Sequence, residues 1–151
     1  MELRPYQQAA RESIQTEWAK GVKRTLLVLP TGCGKTIVFS KVIEDRVILG
    51  ERVLVLAHRG ELLDQAADKL EKSTGLKCAT EKAEQTSIGS WYRVVVGSIQ
   101  TLMRDKRLRQ FAADHFDTII IDEAHHCISE SYQRVLQYFE SANVLGVTAT
   151  P

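Results

Sequence analysis

Five short apolar runs divide this chain, and segments with helical periodicity lie between them. Short continuous apolar runs are typical of strands buried on both faces, whereas spacings of three and four indicate amphipathic helices. Strands alternating with helices predict an α/β fold with a mainly parallel sheet covered by helices on both faces. The predicted strands are Thr25–Leu29, Arg52–Ala57, Arg93–Gly97, Asp117–Ile121 and Val144–Thr148, with a further short strand around Cys78.

Unusual polar residues follow these predicted strands. The carboxyl ends of parallel strands meet at one edge of a sheet, and ligands of such sheets bind there. The sequence therefore predicts a ligand site built from the strand ends. The segments concerned are Gly32–Lys35, His58–Arg59, Ser98–Gln100, Asp122–His125 and Thr148–Thr150.

The segment Leu29–Thr36 joins the first predicted strand to a predicted helix and ends in Gly-Lys-Thr. Glycines allow backbone N–H groups to turn toward phosphate oxygens, and the helix N-terminus adds positive potential. We expect Lys35 to reach the β- and γ-phosphates and Thr36 to offer its hydroxyl to Mg²⁺. The strict pattern has glycine where this chain has Leu29, so a glycine turn opening an ordinary helix is the alternative.

Asp122 and Glu123 end the fourth predicted strand. A phosphate-loop enzyme needs a carboxylate at such a position to hold Mg²⁺, and Asp122 is the candidate. Glu123 could polarise the water that attacks the γ-phosphate. The alternative is a pair of solvated acids at the start of a loop.

Composition limits the classes of partner and compartment. The chain has 151 residues and a formal net charge of +1, so any nucleic-acid site must be a local feature. Its three cysteines have no metal-type spacing, and His125, His126 and Cys127 lack a second ligand pair for zinc. No apolar run approaches the roughly 20 residues that span a bilayer, and nothing resembles a signal peptide. We expect a cytoplasmic or nucleoid-associated protein that is not secreted.

Together these segments resemble the motifs of superfamily 2 helicases. The tetrapeptide Asp122–His125 resembles motif II of the DEAH type, and Pro30–Thr36 resembles motif I, where the first glycine is commonly absent. The remaining motifs follow in the order of the family, and the resemblance covers essentially the whole chain. Arg4–Gln7 resembles the adenine-recognition motif, Ala57–Arg59 motif Ia, Gly97–Leu102 motif Ib and Thr148–Pro151 motif III.

The resemblance implies a role for each matching position. ATP and Mg²⁺ would be the cofactors, with Lys35, Asp122 and Glu123 as catalytic residues and Thr36 and Asp122 as metal ligands. The nucleotide-binding set would be Arg4, Gln7, Pro30, Thr31, Gly32, Cys33, Gly34, Lys35 and Thr36. DNA or RNA would contact His58, Arg59, Ser98, Gln100 and Thr101. Coupling between ATP hydrolysis and strand handling would involve His125, Thr148 and Thr150.

The resemblance also implies a fold and a missing part. Residues 1–151 would form the first RecA-like domain of a P-loop NTPase, a three-layer sandwich with the motif III strand between the strands of motifs I and II. The second RecA-like domain, which supplies an arginine finger, does not fit in this chain and would come from a longer parent or a partner. The isolated chain is therefore expected to be inactive or weakly active.

Two other functions remain open at this level. The chain could be a non-catalytic nucleotide- or nucleic-acid-binding module, or a phosphate-loop ATPase unrelated to nucleic acid. The basic run Arg104–Arg109 is a further ambiguity, since it follows the motif Ib match. A solvated surface is the commoner outcome for such a run, whereas weaker nucleic-acid binding on Arg107→Glu would indicate a phosphate-contacting patch.

Overall fold

The computed structural model describes residues 3–29, 34–58, 63–81, 92–124 and 129–149. Within these ranges the predicted alternation of strands and helices is confirmed, and so is the short strand at Cys78. The helices are α1 (Pro5–Ala19), α2 (Lys35–Ile48), α3 (Leu63–Thr74), α4 (Ile99–Leu102), α5 (Asp105–Leu108) and α6 (Glu130–Tyr138). The strands are β1 (Arg24–Val28), β2 (Val53–Ala57), β3 (Cys78–Glu81), β4 (Val94–Ser98), β5 (Thr118–Asp122) and β6 (Asn143–Thr148).

These strands form one sheet in the order β1-β6-β5-β2-β4-β3, and each described pair is parallel. As predicted, β6 lies between β1 and β5. The register pairs Val28 with Thr148 and Ala57 with Ser98. The strands therefore finish together at one side of the sheet, which we call the carboxyl edge, opposite the amino edge where they begin.

Helices cover both faces of the sheet, as a three-layer sandwich requires. The first face packs against α1, α2 and α3 through a core that includes Val55, Ile120 and Val147. The second face packs against α4, α5 and α6 through a core that includes Leu54 and Ile121. Successive strand residues point to opposite faces, which explains why the central strands are apolar at almost every position.

One sequence prediction about burial is wrong. The run Thr25–Leu29 was expected to be a buried strand, but β1 is an edge strand that buries mainly one face. Leu27 packs in the first core, whereas Leu26 and Val28 are 55% and 40% exposed. An apolar run predicts a strand, but it does not say whether helices cover both of its faces.

Helix α1 is attached to α2 by a charge cluster and a ring contact. The guanidinium of Arg11 donates to both carboxylate oxygens of Asp45, at 2.8 and 2.5 Å. That hydrogen bond raises the pKa of Arg11 despite its partial burial. At the next residue of α2, the guanidinium of Arg46 lies 4.8 Å from the ring centre of Trp18, which is buried.

Gly146 in β6 permits a close contact with the segment that follows β5. A Cβ added at Gly146 would lie 2.9 Å from Cβ of Ala124 and 3.2 Å from Cδ1 of Leu26. Since Leu26 is an exposed, flexible side chain, Ala124 is the contact that cannot yield. The glycine therefore fixes how closely the backbone after Asp122 and Glu123 approaches the sheet.

We expect Gly146→Ala to lower the free energy of unfolding by about 1–3 kcal/mol, because the added methyl group overpacks a rigid contact. The double variant Gly146→Ala/Ala124→Gly should recover part of that loss, since it removes the opposing methyl group. Urea denaturation of the parent, both single variants and the double variant measures the coupling. Equal stability of Gly146→Ala and the parent would contradict the contact.

Candidate functional site

The first helix after the phosphate loop begins where the sequence predicts. Gly34 precedes α2 with φ of +73°, a left-handed conformation that glycine adopts without strain, and Lys35 is the first helical residue. The N-terminus of this long helix therefore points its unpaired N–H groups toward the carboxyl edge. The predicted loop residues Pro30, Thr31, Gly32 and Cys33 lie outside the described residues.

Gln7 lies against this loop. Its side chain is 4% exposed, and its Oε1 accepts a hydrogen bond of 2.9 Å from the backbone N–H of Arg4. A Cβ at Gly34 would overlap Nε2 of Gln7, so the amide contacts the loop backbone directly. The side chain of Arg4 is exposed. The structure thus brings Gln7 to the phosphate loop and leaves Arg4 as the residue that directly precedes α1.

Thr36 and Asp122 line one cavity at the carboxyl edge. Its volume is about 210 Å³, and α2, β2, α3 and β5 form its walls. A hydroxyl and a carboxylate on the same cavity are oxygen ligands of the type that Mg²⁺ prefers, so this donor set fits the predicted ion. The remaining lining residues are Phe39, Val55, Ala57, Ala66, Lys69 and Leu70.

Glu123 has an unusual backbone conformation directly after β5. Its φ of +58° is left-handed, and it is the one non-glycine residue with positive φ in the described part of the chain. Its N–H donates to Oδ1 of Asp122 at 3.0 Å, and its side chain is exposed. Strain of this kind is found disproportionately at functional sites, where the surrounding structure maintains it.

Thr148 connects the end of β6 to the phosphate loop. Its carbonyl oxygen accepts the N–H of Leu29 at 3.1 Å, and the residue is 1% exposed. The preceding residue, Val147, is in register with Asp122. Thr148 therefore lies between the residue that leads into the phosphate loop and the end of β5, and its coupling role stays a prediction. His125 and Thr150 lie outside the described residues.

The residues expected to contact nucleic acid differ in exposure. Gln100 is exposed at the start of α4. Ser98 and Thr101 are buried and bonded to each other: Oγ of Ser98 accepts the N–H of Thr101 at 3.2 Å and lies 3.1 Å from its hydroxyl. His58 is half-buried beside Tyr132, with ring centres 6.4 Å apart and planes 8° from parallel. Arg59 lies outside the described residues.

Sequence reasoning missed the side that α3 contributes to the cavity. Lys69 and Leu70 lie on a helix whose pattern is that of an ordinary amphipathic surface helix, so nothing in the sequence connects them with the cavity. It also missed the cap made by Ser98. A serine three residues before Thr101, at the junction of a strand and a helix, is the local signal that could have revealed this cap.

In the described part of the chain, no helix is both long enough and apolar enough to cross a membrane. No group of three or more histidine, cysteine, aspartate or glutamate side chains in those ranges is arranged to hold a metal ion. The triplet His125, His126 and Cys127 lies outside them.

Comparison with known proteins agrees with the fold and with the family resemblance. Residues 1–151 match the family described as type III restriction enzyme, res subunit. IRC3 of Saccharomyces cerevisiae, provisionally named an ATP-dependent helicase, is 36% identical over 98% of this chain and 23% of its own length. The DNA 3′-5′ translocase XPB2 of Sulfurisphaera tokodaii is 30% identical over 100% of this chain and 31% of its own length.

Among solved structures, the Hef helicase domain of Pyrococcus furiosus is similar to this chain with a TM-score of 0.80 and 25% identity. The match covers 98% of this chain and 33% of that one. This chain thus spans only about a quarter to a third of the length of these three proteins. The family match and the shared fold together show that the chain belongs to the type III restriction enzyme res subunit family and is an N-terminal RecA-like domain of the superfamily 2 helicases.

Proposed function

We propose that the chain is the ATP-binding half of a motor that couples ATP hydrolysis to movement on nucleic acid. The observation that carries this proposal is the shared cavity of Thr36 and Asp122, with Gln7 against Gly34 beside it. An adenine-reading amide, a phosphate-binding helix start and a pair of oxygen ligands together fit Mg·ATP. DNA is the favoured polymer, because XPB2 is named a DNA translocase and the matching family is named for a restriction enzyme.

Each residue has a defined role in this proposal. Lys35 binds the β- and γ-phosphates, and Gly32 and Gly34 let the loop backbone surround them. Thr36 and Asp122 hold Mg²⁺, which would offset charge that develops on the phosphates during transfer. Glu123 orients and polarises the attacking water. His125, Thr148 and Thr150 transmit the state of the phosphate site to the nucleic-acid contacts.

The proposal includes a second RecA-like domain, supplied by the same polypeptide or by a partner. The relatives are several times longer than this chain, which leaves room for such a domain. An arginine finger contributes about 10³- to 10⁵-fold to phosphoryl transfer in related chemistry. The 151-residue chain should therefore bind Mg·ATP yet turn it over slowly at best.

Lys35→Ala should remove measurable Mg·ATP binding, because it deletes the cation that neutralises the β- and γ-phosphates. Lys41→Ala is the matched control: Lys41 lies on the same helix and pairs with Glu44 at 3.3 Å, away from the phosphate loop. Calorimetric titration of the parent and both variants makes the comparison. Unchanged affinity in Lys35→Ala would show that the nucleotide binds elsewhere.

Steady-state hydrolysis by the same proteins, with and without DNA, tests the motor function. We expect little turnover and no stimulation by DNA from the isolated chain, although it binds Mg·ATP. Stimulated turnover that disappears in Lys35→Ala would show that the chain completes its own site and would contradict the need for a second domain. Failure of the parent to bind Mg·ATP would contradict the proposed function itself.

Gln7→Ala should weaken ATP binding by about tenfold, which corresponds to losing one or two hydrogen bonds to the adenine edge. GTP binding should change less, since guanine presents a different pattern of donors and acceptors. Gln8→Ala is the control, because Gln8 is the neighbouring residue and bonds Glu12 on the helix surface. Equal losses for ATP and GTP would indicate that Gln7 acts through the loop at Gly34 and does not read the base.

A further inference from the structure

A short basic segment follows α4 and carries cations that nothing in the described structure neutralises. We define the basic segment as residues 104–110. Arg104, Lys106 and Arg109 are all exposed, and none of the three has an ion pair with another described residue. Exposed cations are common on protein surfaces. Whether these three indicate a binding site therefore depends on where the segment lies and on which contacts fix its position.

The segment is held at the carboxyl edge by a buried ion pair. Nε of Arg107 donates to Oε2 of Glu81 at 2.8 Å, and the side chain of Glu81 has no exposed surface. Glu81 ends β3 and is in register with Gly97 of β4, one residue before Ser98. A carboxylate buried there requires its cation, because an unpaired buried charge is strongly destabilising. The pair therefore fixes the basic segment beside the start of α4.

Packing and pairing fix the rest of the segment. Leu108 is 2% exposed and belongs to the second core. The one acid of the segment, Asp105, lies 3.6 Å from Arg134 of α6. Since Asp105 and Arg107 each have an oppositely charged neighbour, the local excess of positive charge comes from Arg104, Lys106 and Arg109.

Two of these cations border one concavity. Arg104 and Lys106, together with Arg107 and Gln110, line a concavity of about 240 Å³, and carbon atoms of these side chains make up nearly all of its wall. Gln110 is exposed and adds an amide donor. Apolar stems that line a concavity, on side chains whose cationic ends are exposed, match the sugar-phosphate backbone, because the sugar carbons can pack on the stems while the phosphate oxygens accept hydrogen bonds from the cations. Because the whole chain has a net charge of only +1, this local concentration of positive charge is not simply a consequence of a basic composition.

We propose that this concavity binds the sugar-phosphate backbone of DNA, with Arg104 and Lys106 contacting phosphates. The proposal rests on the proposed function, and it extends the nucleic-acid surface beyond Gln100 along the same edge of the sheet. Arg107 has a different role: it positions the segment by neutralising Glu81. Arg107→Glu would place two carboxylates together in a buried position, so that substitution tests folding and not DNA binding.

The test is the salt dependence of DNA binding by a double variant, Arg104→Gln/Lys106→Gln. Each phosphate contact releases counterions, so losing two contacts should reduce the slope of log K against log salt by about 1.8 for duplex DNA and about 1.4 for a single strand. Affinity for both should fall about tenfold or more at roughly 50 mM salt. Mg·ATP binding should be unchanged, because neither residue touches the nucleotide cavity.

The matched control is Arg24→Gln/Lys77→Gln, which removes the same charge from the opposite edge of the sheet. Arg24 begins β1 and Lys77 directly precedes β3, and both side chains are exposed. This variant should keep the affinity and salt slope of the parent. Arg109→Gln should also have a smaller effect than the double variant, since Arg109 does not line the concavity.

The outcomes separate this proposal from the proposed function. If the parent binds DNA and the concavity variant keeps the parental slope, the concavity is not a phosphate site and the proposed function stands. If both double variants lose affinity equally, general charge explains the binding and the concavity proposal is overturned. If the parent binds Mg·ATP but neither form of DNA at low salt, the proposed movement on DNA fails together with this surface.

Discussion

The parallel register of the sheet is the constraint on which the candidate site depends. Hydrogen bonding pairs Val28 with Thr148, Asp122 with Val147 and Ala57 with Ser98, so every strand delivers its last residues to one edge. A slip of one residue between neighbours would turn buried side chains to the opposite face, which both apolar cores forbid. The apolar packing of the strands therefore determines the relative positions of the polar residues that follow them.

Close backbone approach is the second requirement of the site. Gly34 leaves room for the amide of Gln7, and Gly146 leaves room for Ala124 after the two acids. Each glycine thus allows a neighbouring segment to lie nearer than a Cβ would permit. Gly34 also supplies a positive φ, whereas Gly146 is required only by its contact. The geometry of the candidate site therefore depends on the absence of a Cβ atom at these two glycines as well as on the functional side chains.

The sequence predicted the strands that carry the candidate residues because apolar runs and glycine turns are local signals. It also indicated where β6 lies, through the resemblance of Thr148–Pro151 to a helicase motif. Contacts between segments that are distant in the chain could not be predicted from the sequence. Nothing local marks Leu26 as an edge residue, and nothing in either segment indicates that Arg107 neutralises Glu81. The motif resemblance predicted that Ser98 and Thr101 contact nucleic acid. In the structure both side chains are buried, and their hydroxyls are hydrogen-bonded to each other.

The elements proposed to bind nucleotide and those beside the proposed DNA surface pack on opposite faces of the sheet. The nucleotide elements, α1 and α2, pack on the first face and are attached to each other through Arg11 and Asp45. The elements beside the proposed DNA surface, α4 and α5, pack on the second face. Under the proposed function, coupling between nucleotide and DNA would pass through or around the sheet, and the carboxyl edge is where the two sets of elements meet. There the carbonyl of Thr148 bonds the N–H of Leu29, while β6 runs directly beside β5 and its terminal Asp122. Under that function, a change at the γ-phosphate would reach the second face through these hydrogen-bonded strand ends.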